Sequence, residues 1–234
     1  MIAHPKGDLA AATLASGLAA RFATTTVATT GAPPRDAPLW VATASHRWHR
    51  DAAVPVVVVP DAARDREALS GDAVLCGARD ERDAPAVAIA DVLAQAIELP
   101  LVLARVVPDD FFVLGADGVP VVFRPGERDL VADRFKLRAI VAEAGIDFTG
   151  DQMITVLKGE VSSALASAVV AGDAPLLAVG PSRSRILKRA LFGSNVEALL
   201  QRCTCPLVIC PDDPAAGMGL RELWAQRAQG LTGP

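Results

Sequence analysis

Apolar residues fall into short unbroken runs, separated by stretches in which they recur with helical spacing. Ala73 to Gly77 (AVLCG) is apolar throughout and predicts a buried strand. After a polar loop, Ala78 to Asp83, a helix is expected with Ile89, Val92, Leu93, Ala96 and Ile97 on one face. Asp83 suits its cap, Pro85 its first turn, and Pro100 stops it. Leu101 to Val107 (LVLARVV) predicts the next strand. A second helix, from about Asp129 to Ala144, buries Leu137, Ile140, Val141 and Ala144, and Gly145 ends it. Met153 to Leu157 predicts a strand, and Lys158-Gly159 turns into a helix carrying Val161, Leu165, Ala168 and Val169. Leu176 to Val179 is a strand, Ser194 to Arg202 a helix, and Leu207 to Cys210 the closing strand. Strands this uniformly apolar are covered by helices on both faces. Right-handed crossovers then give an α/β fold with a doubly wound, five-stranded parallel sheet.

Three regions break the alternation. Phe111 to Phe123 (FFVLGADGVPVVF) predicts an inserted hairpin around a Gly-Ala-Asp-Gly turn. The tail after Pro211 is loop-like until a short helix with Leu220, Leu223, Trp224 and Ala228. Residues 1–70 suggest one helix (Leu14, Leu18, Phe22) and about three strands: Thr24 to Thr29, Leu39 to Thr43 and Val54 to Val59. The chain has 234 residues, about one and a half times the usual domain. The expected division is a shortened unit over 1–70, a full unit over 71–212 and a tail over 213–234.

Composition narrows the function classes. The net charge of −4 and pI near 5.4 lack the basic footprint of a general nucleic-acid binder. The positive mean hydropathy raises a membrane reading, but even Ala84 to Val107 is interrupted by Asp91, Glu98, Pro100 and Arg105. The N-terminus lacks a compact apolar signal. A cytoplasmic location with Cys76, Cys203, Cys205 and Cys210 reduced is therefore expected.

Candidate chemistry concentrates between Leu176 and Pro211. Gly180 allows a sharp turn off a strand, and Gly193 allows close approach of a phosphate. The N–H groups of Ser194, Asn195 and Val196 would point at that phosphate, with the Ser194 hydroxyl adding a bond. Between the glycines lie Arg183, Arg185, Lys188 and Arg189, with no carboxylate among them. Spacing alone leaves two readings, a phosphate site at the carboxyl ends of parallel strands or ordinary turn punctuation.

The segment resembles the C-terminal signature of the universal stress protein family, G-x2-G-x9-G-[ST] followed by a closing strand. Gly180, Arg183 in place of the second glycine, Gly193 and Ser194 follow that pattern, and Cys205 to Ile209 matches the closing strand. Lys158-Gly159 matches the turn after the family's third strand, and the likeness covers about residues 72–212. The resemblance implies an ATP-binding fold in which Gly180, Gly193, Ser194 and Asn195 contact phosphates and ribose. Val106 would face the adenine, and Mg2+ would accompany the nucleotide. The family's Asp after its first strand is replaced by Arg79, unless Asp80 serves through a one-residue shift. Arg183 either blocks the phosphate path or adds a cation with suitable donors to it. The short link between Ala42 and Ala53 holds no glycine motif, so the first unit cannot make such a site. In this family last strands often pair across a dimer, which implies an internal pseudo-dimer, a homodimer, or both.

Other signals are weaker. Cys203, Cys205 and Cys210 lack the C-x2-C spacing of zinc sites, and His46-x-x-His49 lies in a polar loop. Asp80, Glu81 and Asp83 could face a magnesium ion or simply cap the following helix. All three histidines precede residue 50, and neither a nucleophile elbow nor a P-loop is present. The expected function is an adenine-nucleotide-binding sensor or interaction module of stress response. A structural module that binds no nucleotide and a slow ATPase are the alternatives.

Overall fold

The computed structural model describes residues 1–22, 26–29, 37–44, 54–63, 69–109, 111–114, 120–123, 126–146, 153–180, 193–211, 213, 215 and 218–230. In chain order the first elements are β1 (Ile2–Pro5), α1 (Leu9–Arg21), β2 (Thr26–Thr29), β3 (Trp40–Thr43) and β4 (Val56–Val59). There follow β5 (Val74–Gly77), α2 (Ala84–Ala96), β6 (Leu101–Val107), β7 (Phe111–Leu114), β8 (Pro120–Phe123) and α3 (Glu127–Glu143). The last are β9 (Ile154–Lys158), α4 (Val161–Ala171), β10 (Leu177–Val179), α5 (Ala198–Arg202), β11 (Leu207–Ile209) and α6 (Met218–Ala228).

The helices start and stop for local reasons. Asp8 caps α1 by accepting from the Ala11 N–H, and Leu14, Ala15 and Leu18 form its buried face. Glu160 caps α4 by accepting from the N–H groups of Ser162 and Ser163. Helix α3 ends where Gly145 takes φ of +70°, and the Ile146 N–H turns back to the Val141 carbonyl. A side chain at that position would strain the backbone, so the glycine is a stop signal.

The strands form one nine-stranded sheet in the order β2-β1-β3-β4-β11-β10-β5-β6-β9, with β7 and β8 paired separately as an antiparallel hairpin. All neighbours in the large sheet are parallel except β4 and β11. There Val58 faces Leu207, Val57 faces Val208, and Val56 faces Ile209. The five-stranded expectation therefore holds for β11-β10-β5-β6-β9, but the N-terminal strands extend the same sheet. Both last strands are paired on both edges, which leaves neither an edge for another chain. Moving away from this seam, β4-β3-β1-β2 on one side mirrors β11-β10-β5-β6 on the other, and β9 alone has no counterpart.

One N-terminal strand was not anticipated from the sequence. Ile2–Pro5 forms β1, between β2 and β3, so the segment contributes four strands instead of about three. Ile-Ala-His-Pro is too short and too mixed to announce a strand locally, and its extension comes from its neighbours. Strand β2 begins at Thr26, two residues after the expected start, and residues 24 and 25 lie outside the described residues.

The main core lies on the face covered by α1, α2, α3 and α6 and runs without a break across the seam. It joins Leu18, Phe22, Leu39 and Val57 to Val74, Leu93, Leu103, Leu137 and Val208. On the opposite face Leu165, Val169, Leu177, Leu199 and Cys205 pack under α4 and α5. Trp40, Val56 and Val58 form a third cluster, to which Leu200 and Ile209 also pack. All four cysteines are buried, and none forms a disulfide. Among the described residues no helix is long and apolar enough to cross a membrane.

Candidate functional site

Strands β5, β6, β9, β10 and β11 stand in the order 5-4-1-2-3 when counted within their own part of the chain from the seam outward. The connections leave β5 in one direction and β10 in the other, opening a crevice between the carboxyl ends of these two strands. Gly77 faces Val179 across them, so the residues that follow, Ala78 to Asp83 and Gly180, face each other at the crevice.

The sequence predicts Asp83 as a cap for α2 or, with Asp80 and Glu81, as a carboxylate facing a magnesium ion. The residue does stand at the N-cap position, but its side chain makes no capping hydrogen bond. Its carboxylate, 1% exposed, instead accepts from Arg79 three times. The Arg79 backbone N–H donates to Oδ2 at 2.8 Å, Nε donates to Oδ2 at 3.2 Å, and Nη2 donates to Oδ1 at 3.1 Å. A guanidinium fork on a carboxylate is among the stronger charge-assisted contacts available to a protein. Gly180 backs directly onto this carboxylate, because a Cβ there would sit 2.2 Å from Asp83 Oδ1. The glycine at the end of β10 is thus required by the close approach of Asp83. Asp83 is the site residue that sequence reasoning undervalued, and the signal was the i, i+4 arginine–aspartate spacing of Arg79 and Asp83.

The remaining expected site residues are distributed as follows. Asp80 is half-buried and caps the short 3-10 turn Glu81–Asp83 by accepting from the Arg82 N–H at 3.1 Å. Val106 lies near the same end of β6, half-buried against the core under α4 and α5. Gly193, Ser194 and Asn195 begin a π-helical turn, Gly193–Glu197, that leads into α5, and Asn195 is exposed. The expected helix from Ser194 to Arg202 is therefore a wide turn followed by only five α-helical residues. Such turns recur at functional sites because they re-aim backbone groups. Arg183, with Arg185, Lys188 and Arg189, lies outside the described residues, as do His46 and His49.

The electrostatics follow from enclosure. Burial, reinforced by the nearby Cys210 thiol and the Asp83 charge, pushes the Cys76 thiol well above its ordinary range. Burial and then Asp83 raise Cys210 likewise. These thiols stay protonated and fill space beneath the crevice. Among the described residues no group of three or more His, Cys, Asp or Glu side chains could hold a metal ion. The expected Asp80, Glu81 and Asp83 cluster is instead divided, with Asp80 capping a turn and Asp83 holding Arg79.

The other half of the sheet repeats part of this arrangement. Asp8 stands at the start of α1 as Asp83 does at the start of α2, and it accepts from the Thr43 hydroxyl at 2.7 Å. Thr43 ends β3, the strand that mirrors β10. A carboxylate therefore closes the strand-order reversal on both sides of the seam.

Fold and crevice together define a doubly wound α/β protein with a crevice at a strand-order reversal. Residues 72–211 match the model of the universal stress protein family, and the chain belongs to that family. A protein from Pseudomonas aeruginosa assigned to the same group has a similar fold, with 14% identity and a TM-score of 0.56 over 97% of this chain and 86% of its own. A functionally unknown protein from Pseudomonas aeruginosa gives 15% and 0.55 over 97% and 85%. A universal stress protein from Archaeoglobus fulgidus gives 12% and 0.53 over 81% and 72%. These likenesses concern the fold alone. No curated protein matches the chain.

Proposed function

We propose that the chain binds an adenine nucleotide, ATP in the first instance, and acts in stress response as a nucleotide-dependent sensor or interaction protein with little turnover. The observation that carries this reading is the crevice between β5 and β10, where Gly180 and the Arg79–Asp83 pair meet at the strand-order reversal. Arg79 stands half-exposed beside it and supplies a cation suited to phosphate oxygens. Asp80, Gly180, Arg183, Gly193, Ser194 and Asn195 complete the phosphate and ribose contacts, and Val106 flanks the base. Mg2+ enters with the nucleotide as its counter-ion.

In the same reading, residues 1–70 are a truncated repeat, 71–212 a complete one and 213–234 a tail. The mirrored strand order and the paired placement of Asp8 and Asp83 support that division. The β4–β11 seam then acts as an internal dimer contact. The protein works in the cytoplasm with its thiols reduced.

A second reading has one specific observation in its favour. Asp83 brings a buried negative charge against Gly180, where a phosphate would meet it, and Arg79 already satisfies that charge. On this reading the crevice is closed and the protein is an interaction module without nucleotide. Mass spectrometry of the denatured purified protein and calorimetry with ATP separate the two. Co-purified nucleotide, or saturable heat that Gly193→Trp abolishes, supports the first reading. Neither nucleotide nor heat at millimolar ATP would overturn it, and rapid phosphate release would favour an ATPase instead.

A further inference from the structure

Arg105 lies on β6, on the sheet face covered by α3, and its side chain is 18% exposed. Its Nε is 2.9 Å from Asp133 Oδ1, close enough for an ion pair but without the alignment of a hydrogen bond. Its Nη1 is enclosed and has no acceptor at all. Asp133, itself buried, already accepts from Lys136 Nζ at 3.0 Å on the same Oδ1. Two cations therefore share one carboxylate oxygen: Lys136 reaches it from a half-exposed position, and Arg105 keeps two N–H groups without an acceptor beneath the helix.

An enclosed donor without a partner is costly. Between Leu130 and Glu143, α3 presents Arg134, Lys136 and Arg138 against Asp133 and Glu143. What the two Arg105 N–H groups lack is an aligned acceptor, and a planar guanidinium beside an ammonium matches a tetrahedral oxyanion. We propose that Arg105 and Lys136, oriented by Asp133, form a phosphate-binding site under α3, separate from the β5–β10 crevice. It takes inorganic phosphate or the phosphate head of a small metabolite. It depends on no part of the nucleotide reading, because none of its residues belongs to that crevice.

Calorimetry at fixed ionic strength, with inorganic phosphate and glycerol 3-phosphate titrated side by side, tests the site. Saturable one-to-one heat is expected with the wild-type chain, and the ligand bound more tightly identifies free phosphate or an esterified head group as the natural form. Lys136→Gln, a change at a half-exposed position, should weaken binding about tenfold, the worth of one charge-assisted hydrogen bond. Arg105→Met should abolish it, and Gly193→Trp should leave it unchanged. If Arg105→Met does not fold, Lys136→Gln still decides the matter. The proposal is overturned if neither ligand gives saturable heat, if Lys136→Gln binds as tightly as wild type, or if Gly193→Trp removes binding. The last result would place the phosphate in the nucleotide crevice.

Discussion

The Trp224 indole stands edge-on to the Phe22 ring, with centroids 6.0 Å apart and planes at 79°. Its Nε1–H donates to the Gln95 side-chain oxygen at 2.8 Å. Phe22 closes α1 and Gln95 lies on α2, so one residue of the C-terminal helix touches the sequence on both sides of the seam.

Trp224→Ala should therefore loosen both parts together. Edge-to-face contact, lost area and a lost hydrogen bond amount to about 2–4 kcal/mol at a half-buried site. Denaturant unfolding should show a single transition at lower midpoint. Two separated transitions would contradict this, showing that the parts unfold independently of each other.

Gly180→Ala should destabilise by about 1–3 kcal/mol, because the new methyl group meets a carboxylate pinned by three donors from Arg79. Asp83→Ala removes the obstacle, so the double variant should be more stable than the sum of the single changes predicts. Simple additivity in the mutant cycle would mean that Gly180 matters for another reason.

Glu160 gives a pH signature. Hydrogen bonds from the Ser162 and Ser163 hydroxyl and N–H groups hold its carboxyl at about 2, below its ordinary 4.5. Its folded pKa is depressed, so its stabilisation is complete above about 4.5 and is lost as pH falls toward about 2. The midpoint difference between wild type and Glu160→Gln should shrink across that window. A difference independent of pH would contradict the assignment.

The thiols should be inert in the folded chain. Cys76, Cys203, Cys205 and Cys210 are all buried, and burial raises Cys203 to about 11. Ellman's reagent should find no fast-reacting thiol before denaturation and four after it. A rapidly labelled native cysteine would show that one of these sites opens readily.

Different parts of the molecule were legible to different degrees, for physical reasons. Strands such as Leu101–Val107 and helices such as Ala84–Ala96 announce themselves through local apolar patterning, and Gly145 through its stop signal. Ile2–Pro5 could not be read, because its extension depends on β2 and β3, more than twenty positions away in the chain. Gly180 was legible as a glycine following a strand. Its reason was not, because the Asp83 carboxylate reaches it only after β5 and β10 have paired. The Arg105–Asp133 pair is tertiary too, linking a strand to a helix beyond an inserted hairpin.

The antiparallel register of Val56–Val59 on Leu207–Ile209 has a consequence for mass action. A contact between separate chains dissolves on dilution, and its occupancy follows concentration. Here both strands belong to one covalent chain, so each always experiences the other at a fixed effective concentration. The seam therefore has no dissociation constant, and the melting temperature of the sheet it joins should be the same in a dilute sample as in a concentrated one.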